Sequence, residues 1–169
     1  FKDHISVISN WPRDGITTYD IAPLLHDPNL FHELIIQLAE PYQNQQVATV
    51  VGIEARGFVL ASAVAYQLHA GIALIRKKGK TPPPNISQEY SFEYASYVME
   101  VAGKIMQKDE RIILVDDILA TGGTMSAAIK LINKVGSKII GISVAIEMEY
   151  MAGHDRLKGQ TIHSSITYS

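Results

Sequence analysis

The chain has 169 residues, 47% of them hydrophobic and 19% charged, and a formal net charge of −2. That length suits one domain with a continuous core, and the balance is that of a folded chain rather than a disordered one. A slightly acidic chain is not a general binder of nucleic acid or membrane surfaces. The absence of cysteine excludes disulfides, thiolate metal sites and thiol nucleophiles, and fits a cytoplasmic protein. No run approaches the roughly twenty apolar residues of a membrane span, and the opening FKDHISVISNWP lacks the basic-then-apolar layout of a signal peptide.

Strand-like and helix-like segments alternate along the chain, which predicts a parallel sheet flanked by helices. Asp27 and Pro28 read as an N-cap and a first helical residue; Leu30, Leu34, Ile35 and Leu38 then form a core-facing stripe that stops near Pro41. Val47 to Ile53 reads as a buried strand, Gly57 to His69 as a helix of small and apolar residues, and Ile72 to Ile75 as a short strand after Gly71. Residues 77–89 lack periodicity and carry Pro82, Pro83 and Pro84, whereas Tyr90 to Val101 alternates like a hairpin. After the strand that begins at Ile112 comes a helix with Met125, Ala128, Ile129, Ile132 and Val135 on one face and Gly136 at its end. Lys138 to Glu147 and Thr161 to Thr167 read as the last strands. No repeat or linker divides the chain, so residues 1–169 read as a single domain.

The most informative run is Ile112 to Thr124, IILVDDILATGGT. An apolar strand delivers Asp116 and Asp117 to its carboxyl end, where open α/β sheets bind ligands. Gly122 and Gly123 allow a sharp turn and close backbone approach. Thr121, Thr124 and the free N–H groups of the next helix then form a cradle for a phosphate. Two carboxylates beside such a cradle repel an anion unless they hold hydroxyls or a divalent cation. A sugar phosphate with a free diol, together with Mg²⁺, satisfies all of these groups. The plain alternative is an ordinary strand–turn–helix with an acidic turn.

Three further segments carry charge in suggestive places. Glu54-Ala55-Arg56-Gly57 follows the strand ending at Ile53, and an arginine fork there can meet a phosphate; alone, such an arginine reads as a solvated surface charge. Arg76, Lys77, Lys78 and Lys80 surround Gly79 at the start of the aperiodic stretch, a solvated basic loop or an anion site. Glu93 and Tyr94 close that stretch, either as an exposed acid and a core ring of a hairpin or as functional groups.

The signature run closely resembles the PRPP-binding motif of the type I phosphoribosyltransferases, and GIEARGF and IRKKGK resemble the diphosphate loops of the adenine-using branch of that family. Gly15-Ile16, Asp20 to Leu25, Gly153 and Leu157 extend the likeness over nearly the whole chain. The resemblance implies an α/β fold with a central parallel sheet of about five strands, helices on both faces, and a small N-terminal hood of about residues 1–25. It implies transfer of a phosphoribosyl group from PRPP to adenine, giving AMP and pyrophosphate, with Mg²⁺ as cofactor in a homodimer. In that pattern Asp116 and Asp117 face the ribose hydroxyls and the metal, the latter indirectly. Ala120, Thr121, Gly122, Gly123 and Thr124 take the 5′-phosphate. Glu54, Ala55, Arg56, Arg76, Lys77, Lys80 and Tyr94 take the diphosphate, with a non-proline cis peptide at Glu54–Ala55. Glu93 and Arg56 are the catalytic pair, and residues 77–94 form a mobile lid. Thr17, Thr18, Tyr19 and Ile118 face the base.

Departures from the family pattern concentrate on the base side. Thr18 and Tyr19 stand where the family carries an aromatic and then a basic residue. Pro82-Pro83-Pro84 replaces Leu-Pro-Gly, Ala95 replaces a glycine and His154 an arginine. Another 6-substituted purine such as hypoxanthine is therefore the rival substrate, and a non-catalytic PRPP-sensing regulator the rival of a different class.

Overall fold

A computed structural model describes the fold of residues 1–92 and 95–169. Its centre is a stack of five parallel strands, β3 (Thr49–Ile53), β4 (Gly71–Lys77), β7 (Arg111–Leu119), β8 (Lys138–Met148) and β9 (Ile162–Tyr168), in the order β4-β3-β7-β8-β9. A parallel sheet has to be covered on both faces, so its strands read as continuous apolar runs. Alternate residues then serve opposite cores. Val50, Ile113 and Val115 pack on one face under α2 (Pro28–Ala39) and α3 (Gly57–Gln67), while Val51, Ile53, Ile112 and Leu114 pack on the other under α4 (Gly123–Val135).

Local signals set the helix ends. The Asp27 carboxylate accepts hydrogen bonds from the N–H groups of Asn29 and Leu30 at 2.9 and 3.0 Å, with Pro28 in the first turn, as the N-cap reading predicts. Leu34, Ile35 and Leu38 are buried, and α2 ends two residues before Pro41. On α4 the buried stripe is Met125, Ala128 and Ile132, with Ala127 and Leu131 beside it, and Gly136 closes the helix at a φ of 89°.

Residues 77–89 depart from the aperiodic reading. From Asn85 the chain is already strand β5 (Asn85–Phe92), paired antiparallel with β6 (Ala95–Ala102), and β6 joins β4 through Arg76↔Glu100 and Lys77↔Met99. The sheet thus has seven strands, five parallel and a two-stranded antiparallel arm. The period-two signal is present in β5, where Ile86, Gln88 and Tyr90 are half-buried and Asn85, Ser87 and Glu89 exposed. A glutamine on the inward side hides it. At the amino end β1 (Ser6–Ser9) and β2 (Thr17–Asp20) form a separate two-stranded antiparallel sheet, followed by the short α1 (Ala22–His26).

One polar contact pins α2 to the sheet. Tyr42, at the turn after α2, is buried, and its hydroxyl donates to the Ile142 carbonyl at 2.9 Å; burial pushes its pKa up to about 12. The ring crosses β8 where Gly141 leaves room for it, since a Cβ there would overlap the ring. Tyr42→Phe is expected to lower Tm by about 1–6 °C, because a lost neutral hydrogen bond costs about 0.5–1.5 kcal/mol. Calorimetry checks this, with binding properties unchanged.

Candidate active site

The strand order reverses direction at β3 and β7, which lie side by side although the chain leaves β3 for β4 before returning to β7. A crevice opens at the carboxyl ends of strands at such a switch point. Here it is a cavity of about 680 Å³ lined by Glu54, Ala55 and Arg56 after β3, Asp116, Asp117 and Ile118 on β7, Ala120 and Thr124 beyond it, Thr17, Thr18 and Tyr19 from the hood, and Met148, Tyr150 and Met151 after β8. Segments more than a hundred residues apart in sequence converge there. The peptide between Glu54 and Ala55 is cis, as the resemblance implies.

The two acids lie within β7 rather than beyond it, since the strand runs on to Leu119. Asp117 is buried and paired with Arg56 through Nε, which ties the loop after β3 to β7. Asp116 accepts the Asp117 N–H at 3.0 Å, and Gly57 at the start of α3 approaches so closely that a Cβ would crowd its Oδ1. Burial, and then the negative charge of Asp117, hold the Asp116 carboxyl well above the usual carboxylate range; Arg56 opposes this more weakly. A group in that situation gains most from a partner that donates hydrogen bonds or carries positive charge.

Beyond β7 the chain turns at Gly122, whose φ is 75°, and α4 begins at Gly123. Gly122 alone of the pair needs the left-handed conformation. Residues 118–125 and Asp116 enclose a smaller hollow of about 70 Å³, roughly the liquid share of two waters at about 30 Å³ each. The unpaired N–H groups of a helix's first turn suit a small anion there. The hollow is shaped from behind by Gly153, the first residue of α5 (Gly153–Arg156), where any Cβ would overlap the Ala120 carbonyl oxygen. Tyr90 on β5 is hydrogen-bonded to Thr124, so the antiparallel arm touches the same loop.

The cations after β4 are gathered around one acid. Glu54 accepts the Lys77 N–H at 2.8 Å and stands 3.8 Å from the Lys80 ammonium. Arg76 donates to the Lys80 carbonyl at 2.7 Å, and its buried Nε has no partner among the described residues. Buried Glu100 accepts the Gly79 N–H at 3.0 Å. Glu93 and Tyr94 lie outside the described residues.

Thr17, Thr18 and Tyr19 line the cavity on the hood side, and Ile118 lines it from β7. The Thr18 hydroxyl donates to the Trp11 carbonyl at 2.7 Å. The Tyr19 ring packs on Tyr168 with centroids 4.7 Å apart. Its pKa is raised, first by a hydrogen bond with Tyr150 and then by burial. Met148, Tyr150 and Met151 are cavity residues that the sequence reading missed. Their signal was positional, an aromatic and two thioethers just past the carboxyl end of the strand after the acidic one. Among the described residues no three His, Asp or Glu side chains gather to hold a metal. Two adjacent carboxylates facing a cavity suit Mg²⁺ instead, which takes one or two protein carboxylates and completes its shell with water and substrate oxygens.

Comparison with known proteins agrees with this geometry. Residues 24–162 match the phosphoribosyl transferase domain model, and the chain belongs to that family. The chain has the type I phosphoribosyltransferase fold. It is 41% identical over 165 residues to the adenine phosphoribosyltransferase of Ruegeria pomeroyi, covering 96% of this chain and 92% of that one. The crystal structure of the adenine phosphoribosyltransferase of Thermoanaerobacter pseudethanolicus superposes with a TM-score of 0.95 at 34% identity, covering 99% and 97% of the two chains. That of Saccharomyces cerevisiae, complexed with an imino-altritol bisphosphate and adenine, gives 0.91 at 28% identity over 97% and 95%.

Two outcomes test the site's construction. Gly153→Ala has to displace residues 120–122, so amide NMR shifts should concentrate at 120–124 while far-UV circular dichroism stays unchanged; a silent spectrum would refute the packing. Asp116→Asn keeps the oxygen that accepts the Asp117 N–H but removes a buried charge. Because the folded state holds the Asp116 proton more tightly than the unfolded chain, wild-type stability falls as pH rises from the ordinary carboxylate range through the raised value. The Asn variant lacks this loss, so its Tm advantage should be larger at pH 8 than at pH 4.

Proposed function

We propose that this protein transfers the 5-phosphoribosyl group of PRPP to adenine in a Mg²⁺-dependent purine-salvage reaction, releasing AMP and pyrophosphate. The observation that carries the reading is the meeting of three loops at the β3–β7 crevice: acids for a diol, a glycine-turned cradle for a phosphate, and a cationic edge for a diphosphate. The adenine phosphoribosyltransferase name of relatives that match almost the whole chain supports the choice of base.

In this reading Asp116 and Asp117 accept the ribose hydroxyls, and residues 120–124 hold the 5′-phosphate on the first turn of α4. Arg56, Arg76, Lys77 and Lys80, with Glu54 and Ala55 shaping their loop, face the diphosphate; Tyr94 joins them. The purine N9 attacks C1′, the bond from C1′ to the pyrophosphate oxygen breaks, and its electron pair leaves with pyrophosphate. Arg56 and the lysines stabilise the growing negative charge, and Glu93 takes the proton displaced from the purine. Mg²⁺, when bound, supplies further neutralisation of the diphosphate. Thr17, Thr18, Tyr19 and Ile118 face the base, and residues 77–94 act as a lid that excludes water.

The assembly is a homodimer acting in the cytoplasm. Val59 and Tyr66, seven residues apart on one face of α3, are 49% and 85% exposed, and Ile72 and Leu74 of neighbouring β4 are exposed beside them. A patch of that kind on a monomer calls for a partner. Sedimentation should give a dimer, and Tyr66→Lys a monomer.

Turnover against adenine, hypoxanthine and guanine with PRPP and Mg²⁺ tests the reaction itself. Adenine is expected to lead; faster turnover of hypoxanthine would move the assignment to another 6-substituted purine, consistent with Thr18 in the hood. Glu93→Gln should lower kcat by about 10²–10⁴-fold and leave PRPP affinity nearly unchanged. Equal loss in both would make Glu93 a structural residue of the arm.

A further inference from the structure

The cavity at the hood has an unusual distribution of rings. A planar heterocycle binds best against a flat aromatic face, in an offset or tilted stack. At the mouth of the crevice the hood offers Thr17 and Thr18, whose side chains have no such face, and the Thr18 hydroxyl is committed to the Trp11 carbonyl. Tyr19 does reach the cavity, but its ring is already packed on Tyr168. Among the described residues lining the cavity, the other aromatic is Tyr150. It is 58% exposed and stacks on no ring among the described residues. It stands on the 3-10 turn Glu149–Met151 just after β8, with Met148 and Met151 on the same cavity wall. Thioethers pack well around aromatic rings and adapt to irregular gaps.

We propose that Tyr150 is a specificity-determining residue of the base subsite, supplying from the β8 side the aromatic face that the hood lacks; this rests on the purine reading above. Tyr19 of the hood and Tyr150 of the turn after β8 line the same cavity from segments 131 positions apart in the chain (150 − 19). Ile118, half-buried on β7, adds an aliphatic surface to the same space.

The test separates ring from hydroxyl. Tyr150→Ala should weaken adenine about threefold to tenfold, in KM and in calorimetric affinity, with the KM for PRPP nearly unchanged. Tyr150→Phe keeps the ring and should restore adenine affinity to within about twofold of wild type. Tyr19→Phe keeps the hood ring and should likewise leave adenine affinity within about twofold of wild type. Wild-type adenine affinity in Tyr150→Ala would overturn the proposal, as would equal losses for adenine and PRPP, or a Phe variant as weak as the Ala variant. Turnover is read separately. A protein that binds adenine in a Tyr150-dependent way yet forms no AMP would refute the proposed reaction while upholding the subsite. A wild type that forms AMP with Tyr150→Ala unaffected would do the reverse.

Discussion

Two neighbouring carboxylates inside a buried strand are the constraint around which this molecule is arranged. Asp116 and Asp117 both line the crevice, and Asp116 accepts the N–H of its neighbour at 3.0 Å, so neither carboxylate is placed without regard to the other. Asp117 meets Arg56 from the neighbouring strand's loop. Asp116 is left in a buried position beside its neighbour's charge, with its carboxyl pushed well up. Burying an acid without a full partner is costly to stability. The fold tolerates it because β7 is the middle one of the five parallel strands, apolar on both faces, with β3 and β8 hydrogen-bonded on its two sides. Strain of this kind at a crevice is the expected signature of a site built for a ligand.

Close backbone approach does the rest of the shaping. Gly57 brings the first turn of α3 against Asp116, and Gly153 brings α5 against the carbonyl of Ala120. Each contact would fail with a single added methyl group. His154, next to Gly153, is held 3.0 Å from buried Glu147, which also accepts the Ser164 hydroxyl. The turn that shapes the hollow is thus anchored to β8 and β9, two strands of the rigid core.

The antiparallel arm and the hood are built differently from the core. Both are two-stranded, and such ribbons are marginal alone and depend on what they pack against. The arm leans on α4 through Ile86 and Tyr90 and reaches the cradle through Tyr90 and Thr124. The hood is tied to the end of the sheet by tyrosines, Tyr19 on Tyr168 and Tyr19 with Tyr150. The arm packs on α4 and pairs with β4, whereas the hood reaches over the crevice, so a ligand filling the crevice touches both the rigid sheet and the hood.

Local chemistry determined much of this protein in the sequence by itself. Apolar runs of strand length, the Asp27-Pro28 cap, the Gly136 stop and the acid–threonine–glycine order of residues 116–124 each act over a few positions, so they can be read without knowing what lies elsewhere. The five parallel strands, the two acids and the threonine–glycine cradle were legible for that reason, whereas the base-facing residues were named only through the family resemblance. The pairing of β5 from Asn85 was not, because its inward face is half polar and its strand character comes from β6. Nor were Met148, Tyr150 and Met151, whose residue types say nothing until β8 is laid beside β7 and the hood is brought across. Only the tertiary structure could decide that Tyr19 spends its ring on Tyr168 and that Arg56 meets Asp117. These are contacts between segments tens to more than a hundred residues apart, and no local pattern encodes the distance between two such side chains.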